Sequence, residues 1–306
     1  MPGDGASVNP GQFYRNLVRL EYREVIMSAA VVAVTAAAVG LFPGFDNLTA
    51  GLDAGVGPVI LLALLGVVTV GALTKGTVGF GFSLVATPLF ATVIDPRLAV
   101  IVLAIPPWMI NLFQIGDTRT GWSFLRREWP LVSLTVGGTI VGVFILSSFH
   151  AGASLRFIIA VMLVGYVAFQ VVSGFLVVER AHHPVALGGV GLVQGLLVAI
   201  ANFGPVLPAY FHVFERDPER YIGGLSMVFT LTFTVKIGQM YALGLLTPYR
   251  IWLGSTVSVV AIGGLLLGTY LRRLEIDRRR FNWFVMVLLA AIAIQLFRSS
   301  IPRMLS

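Results

Sequence analysis

GALTKGTVGFGF, residues 71–82, sets a lysine inside an apolar run and follows it with glycines at 76, 79 and 81. Outward from it, residues 56–75 carry no charge before Lys75, and a run of about 20 apolar residues crosses a hydrocarbon core as a helix. The glycines then interrupt that helix, because glycine adopts backbone angles other residues avoid and has low helix propensity. The stretch reads as the end of a membrane span, a break at membrane depth, and the start of a second helix. Composition agrees. Of 306 residues 57% are hydrophobic and 11% charged, with a mean hydropathy of +0.90, whereas soluble domains carry about 25% charged residues.

The chain is thus expected to be an all-α integral membrane protein. A net charge of +7 raises a nucleic-acid partner, but the arginines sit in short clusters between apolar runs, where they set membrane orientation, so no nucleic acid is expected. Without cysteine, disulfides, thiol catalysis and cysteine-held zinc are excluded. Residues 25–42 follow Arg15, Arg19 and Arg23. That run is longer than the hydrophobic region of a signal peptide and reads as an uncleaved first helix.

Further apolar segments fall at about 56–75, 80–94, 98–116, 130–149, 154–178, 185–202, 204–214, 221–246, 250–271 and 281–297. Two of them, 80–94 and 204–214, are too short for an ordinary crossing and contain glycine and proline, so broken helices are expected there. They occupy matching places in two halves. Asp95-Pro96-Arg97 resembles Asp217-Pro218-Glu219-Arg220, Gly137-Gly138 and Gly142 match Gly263-Gly264 and Gly268, and Arg156-Phe157 matches Arg280-Phe281. The reading is residues 1–55 as tail and extra helix, a first repeat over 56–178 and a second over 185–298, joined by a loop containing His182 and His183.

Five segments per repeat is an odd number, so the second repeat is expected to be inverted. Arginine placement fits this. With the N-terminus cytoplasmic, Arg15, Arg19, Arg23, Arg119, Arg126, Arg127, Arg180, Arg216, Arg220, Arg272, Arg273, Arg278, Arg279 and Arg280 lie inside. Arg97, Arg156, Arg250, Arg298 and Arg303 lie outside, a 14 to 5 bias. Re-entrant short segments would move four of these arginines across, which fits less well.

No Asp or Glu stands in the middle of an apolar segment, which removes carboxylate proton relays. The two lysines, Lys75 and Lys236, are the ionisable groups at membrane depth. Buried cations without nearby acids favour an anionic ligand, because an unpaired ammonium in an apolar medium is costly. Helix starts at the two breaks would add backbone N–H donors and positive dipole ends. Candidate binding residues are therefore Lys75, Thr74, Thr77, Gly79, Gly81 and Ser83 at the first break, and Asn202 and Gly204 at the second. Lys236, Gln239, Asn111 and Gln114 join them from the following helices. No metal or cofactor is expected, since His150, His182, His183 and His212 have no ligand spacing and no hydrolase motif is present.

The run Gly79-Phe80-Gly81-Phe82-Ser83-Leu84-Val85-Ala86-Thr87-Pro88 and its weaker copy Phe203-Gly204-Pro205-Val206-Leu207-Pro208 resemble the duplicated glycine-rich motif of the TauE/SafE sulfite-exporter family, also called toluene-sulfonate uptake permeases. The likeness extends over about 56–298. It implies a secondary transporter of small sulfur-containing or organic anions, such as sulfite or sulfonates, in a prokaryotic cytoplasmic membrane. The first helix lies outside the family core.

The expected activity is transport by alternating access, and no enzyme activity is expected. An inside-negative potential favours outward anion movement by about 2.3 kcal/mol per charge per 100 mV, which favours export. The competing reading is an accessory or structural subunit whose lysines bind anionic lipid or a partner protein. The small-residue patch 137–142 allows packing within one chain or between two, leaving a homodimer as one expectation.

Overall fold

The computed structural model describes residues 23–52, 55–78, 81–118, 122–149, 152–173, 184–214, 217–273 and 278–305. Gly79, Phe80, Arg15, Arg19, Arg119, Arg180, Arg216, His150, His182 and His183 lie outside them. The helices are α1 (Arg23–Gly40), α2 (Pro58–Val78), α3 (Phe82–Val93), α4 (Pro96–Val102), α5 (Ile105–Thr118), α6 (Trp122–Arg127), α7 (Trp129–Ser148), α8 (Gly152–Ser173), α9 (Pro184–Ala201), α10 (Val206–Phe214), α11 (Pro218–Ala242), α12 (Pro248–Arg273) and α13 (Arg278–Leu305). No strand occurs among the described residues.

Five stretches are long and apolar enough to cross a membrane: Pro58–Thr77, Pro96–Gly116, Trp129–Ser148, Arg220–Ala242 and Pro248–Leu271. Large apolar side chains stand outward on the flanking helices, Val141 and Phe144 of α7 among them. That arrangement suits lipid rather than water. The chain is a multi-pass, membrane-embedded protein. The two expected short helices are present as α3, with 12 residues, and α10, with 9 residues.

Local chemistry explains the boundaries. Asp95 caps α4, its Oδ1 accepting from Leu98 N–H at 2.9 Å, with Pro96 in the first turn where a missing N–H costs nothing. Asp217 and Pro218 repeat the device at α11, where Asp217 Oδ1 accepts from Arg220 N–H at 3.4 Å. At the other end of α11, Gly244 takes a φ of 68° and Leu245 N–H reaches back to Met240 O at 2.8 Å, a glycine-terminated cap.

Residues 98–116, read from sequence as one segment, divide into α4 and α5 at Leu103-Ala104. Pro106 and Pro107 have no N–H to continue the ladder. Ala104 N–H turns to Ile101 O at 3.3 Å, which leaves Val100 O for a side-chain donor.

Glycines set the helix pairings. On α7, a Cβ at Gly142 would fall 2.5 Å from the Cβ of Ala199 on α9, and one at Gly138 would run into the carbonyl of Leu192. Gly191 and Gly195 of α9 meet Leu131 and Thr135 of α7 in return. The same arrangement joins α2 to α12: Gly264 packs on Thr69 O, Gly268 on Leu73, and Gly76 on Leu265 O. Small residues let helix backbones approach this closely, which drives association where lipid and side chain are equally apolar. Gly138 and Gly142 therefore pack within the chain.

The partners exchange between halves. Helix α2 packs on α12 and α9 on α7, α5 packs on α11, and α8 on α13. The most enclosed spans are Pro96–Gly116 and Arg220–Ala242, which meet at the centre. Helix α1 lies against α5 and α12, outside this exchange.

Candidate functional site

A cavity opens where the two helix breaks meet α5 and α11. It is lined by Lys75, Asn111, Ser83, Gly81, Asn202 and Gly204, with Phe82, Leu84, Pro107, Val198, Phe229 and Phe233 as its apolar wall. Its volume is about 40 Å³; roughly 10–15 Å³ on this measure holds one water. The space suits three waters or one small anion.

Lys75 enters from the last turn of α2 and is 4% exposed. Its Nζ donates to Asn111 Oδ1 at 2.9 Å and lies 5.7 Å from the ring centre of Phe229. Asn111 is oriented for this by its own Nδ2, which donates to Pro107 O at 2.7 Å. An ammonium carries three N–H donors, so Lys75 retains donors beyond its one hydrogen bond among the described residues.

Helix α3 begins beside it. Gly81 takes a φ of 111°, a left-handed angle that glycine alone adopts without strain, and supplies no side-chain cap. Val85 N–H is the first to bond within the turn, to Gly81 O at 3.3 Å. The N–H groups of Phe82, Ser83 and Leu84 precede it, so they have no acceptor within the helix. All three residues line the cavity.

Lys236 is arranged differently. It is fully buried in α11, and its Nζ donates to Val198 O at 2.8 Å and to Asn202 Oδ1 at 2.6 Å. It caps the carbonyl end of α9, where a cation is favoured by the helix dipole. It does not line the cavity. Asn202, in the left-handed region at φ 54°, also donates from Nδ2 to Val100 O at 3.0 Å and to Thr87 Oγ1 at 3.4 Å. Asn202 therefore ties α9, α11, α3 and α4 together, with both ends of its amide engaged.

The two lysine pairs have exchanged roles. In the first half the lysine is on α2 and the asparagine on α5; in the second half the asparagine closes α9 and the lysine is on α11. Sequence order matches Lys75 to Asn202 and Asn111 to Lys236, but only their hydrogen bonds reveal the exchange.

The remaining candidates lie away from the cavity wall. Thr74 and Thr77 return their hydroxyls to Val70 O and Leu73 O one turn back. The methyl of Thr74 sits 3.2 Å from where a Cβ on Gly81 would stand, so Thr74 shapes the break. Gln114 Oε1 accepts from Ser226 on α11 at 3.0 Å, and Gln239 donates to Ile140 O on α7 at 3.0 Å. Gly79 is outside the described residues. The aromatic wall, Phe229 and Phe233, was missed from sequence: aromatic residues one helical turn apart on an apolar helix carry no sign that separates a cavity from a core.

A membrane-embedded cavity with a buried lysine at its wall and a helix start that lacks a side-chain cap has the chemistry to hold a small anion. The family described as Sulfite exporter TauE/SafE matches residues 62–296, and the chain belongs to that family. Neither the curated proteins nor the solved structures gave a match. Membership points to a membrane transporter of sulfite-type anions. Helix α1 precedes the matched region.

Proposed function

We propose that the chain is a secondary transporter that exports small sulfur-containing or organic anions, such as sulfite or sulfonates, by alternating access around the Lys75 cavity. The observation that carries this reading is the position of Lys75 Nζ. It lies at the wall of the cavity with one acceptor among the described residues, beside a helix start whose first N–H groups have no intrahelical partner. A bound anion takes up both sets of donors and offsets the cost of burying the ammonium.

Exchange of helix partners between the halves supports the inverted-repeat reading, with repeats over 56–178 and 185–298. Two similar units packed head to tail about a shared site have two arrangements of comparable energy, one open to each side, which is the physical basis of alternating access. The positive-inside arginine pattern supports a cytoplasmic N-terminus in a prokaryotic cell membrane. Export follows from the membrane potential, which favours outward movement of an anion.

The test uses the full chain in proteoliposomes loaded with sulfite. Saturable efflux is expected in the wild type and its loss in Lys75→Gln, which keeps a hydrogen-bond donor but removes the charge. Equal efflux in both proteins would overturn the assignment of the site to Lys75.

A further inference from the structure

Side-chain bridges between the two central helices fix where the cavity sits along them. Trp108 Nε1 of α5 donates to Thr234 Oγ1 of α11 at 3.0 Å, and Ser226 Oγ of α11 donates to Gln114 Oε1 of α5 at 3.0 Å. The pairs run in reverse order, so the helices are antiparallel here. Asn111 and Phe229, both at the cavity wall, stand between the two bridges. Each bridge is thus about one helical turn from the cavity, on opposite sides of it.

The two sides are closed to different degrees. Thr234 is exposed, whereas Ser226 is fully buried and Gln114 is 5% exposed. Two residues beyond Ser226, toward the face that carries the exposed Arg126, Arg127 and Arg220, Gly224 of α11 is covered by two rings. A Cβ there would stand 2.8 Å from Cε2 of Phe124 and 3.1 Å from Cε1 of Phe211. Phe124 comes from α6 and Phe211 from α10, with ring centres 6.1 Å apart. A polar bridge and an aromatic layer therefore lie in series between the cavity and the arginine-bearing face. Both are side-chain contacts: the three atoms nearest a Cβ at Gly224 belong to rings, and Gly238 of α11 has nothing within 4 Å. The pairs α2–α12 and α7–α9 are instead locked backbone to backbone at their glycines. Neutral hydrogen bonds and ring contacts are individually weak, so the α5–α11 seam is where the centre parts most readily.

We infer that Gln114, Ser226, Phe124 and Phe211 form the gate between the cavity and the arginine-bearing face, and that it opens by parting α5 from α11 during transport. This inference rests on the transport reading above. Parting also frees the Ser226 O–H, a donor for an anion passing along the seam.

The chain has no cysteine, so a single introduced thiol is read without background. The test uses the full chain in membrane vesicles of each orientation, with a membrane-impermeant maleimide, whose thioether sulfite does not cleave. Ser226→Cys is compared with Arg220→Cys, exposed on the arginine-bearing face, and with Ser258→Cys, fully buried in α12; Gln114→Cys probes the same seam from α5. Sulfite flux of each unlabelled variant establishes folding. A minor conformation is populated at about 0.1–10%, so Ser226→Cys is expected to react about 10 to 1,000 times more slowly than Arg220→Cys, from the arginine-bearing face only, and to lose flux once labelled. No reaction is expected at Ser258→Cys. Adding Phe124→Ala to Ser226→Cys removes one ring of the layer and is expected to speed labelling by about twofold to tenfold. Thiols at 226 and 114 as inert as the one at 258, in proteins that carry saturable sulfite flux, would overturn the gate and leave the transport reading standing; so would labelling from the opposite face alone. Absence of saturable sulfite flux in the wild type would overturn both.

Discussion

Adjacent glycines on α12 should respond oppositely to the same substitution. A Cβ added at Gly264 would stand 2.5 Å from Thr69 O and 2.9 Å from the Cβ of Ala72, about 0.9 Å short of ordinary contact at 3.4 Å. The obstruction is α2 backbone, which cannot rotate aside, so the two helices must part. Overpacking of this kind costs about 1–3 kcal/mol. Gly263, one residue earlier, has nothing within 4 Å of its Cβ position. Alanine there gains up to about 1 kcal/mol of helix propensity. The gap of about 1–4 kcal/mol corresponds to a separation of roughly 2–6 °C in unfolding midpoint for a chain of 306 residues. The assay is thermal denaturation of Gly263→Ala and Gly264→Ala in one detergent, read by tryptophan fluorescence. The pair Gly137 and Gly138 on α7 supplies the internal replicate, since Gly137 is open and Gly138 meets Leu192. Equal midpoints within either pair, or the reverse order, would refute the claim that backbone-to-backbone glycine contacts hold the two halves together.

Lys236→Met should leave Asn202 Oδ1 buried without its donor and lower stability by about 1–3 kcal/mol; a wild-type midpoint would contradict the capping role. At Asn202, glycine and alanine both remove the hydrogen bonds to Lys236, Val100 and Thr87, but alanine alone is strained at φ 54°. Asn202→Ala should therefore unfold at a lower temperature than Asn202→Gly by about 1 kcal/mol. Tyr249→Phe removes the 2.7 Å bond from its hydroxyl to Leu48 O. Chemical denaturation should register a loss of about 0.5–1.5 kcal/mol.

Much of the architecture was legible in the sequence because it depends on local chemistry. Apolar runs of span length, the two short proline- and glycine-bearing segments, and the paired Asp-Pro motifs each determine a helix, a break or a cap from neighbouring residues alone. Lys75 stood out for the same reason: a charge in an apolar run is costly wherever the run is placed, so the fold has to supply it with polar partners. The duplicated motifs also marked the family before any geometry was known.

Tertiary structure decided what those residues touch. Lys75 and Lys236 look alike in sequence, both lone cations in apolar helices, yet one lines the cavity and the other caps the end of α9, because hydrogen-bond partners come from helices far apart in the chain. Adjacent glycines such as 263 and 264 are the same residue in the same helix, and only the approach of α2 separates them. Gln194 carried no signal at all, since a glutamine in a membrane helix more often bonds a neighbouring helix. Its Oε1 accepts from Leu207 N–H of α10 at 2.8 Å, a partner brought to it by a turn whose direction the sequence does not specify.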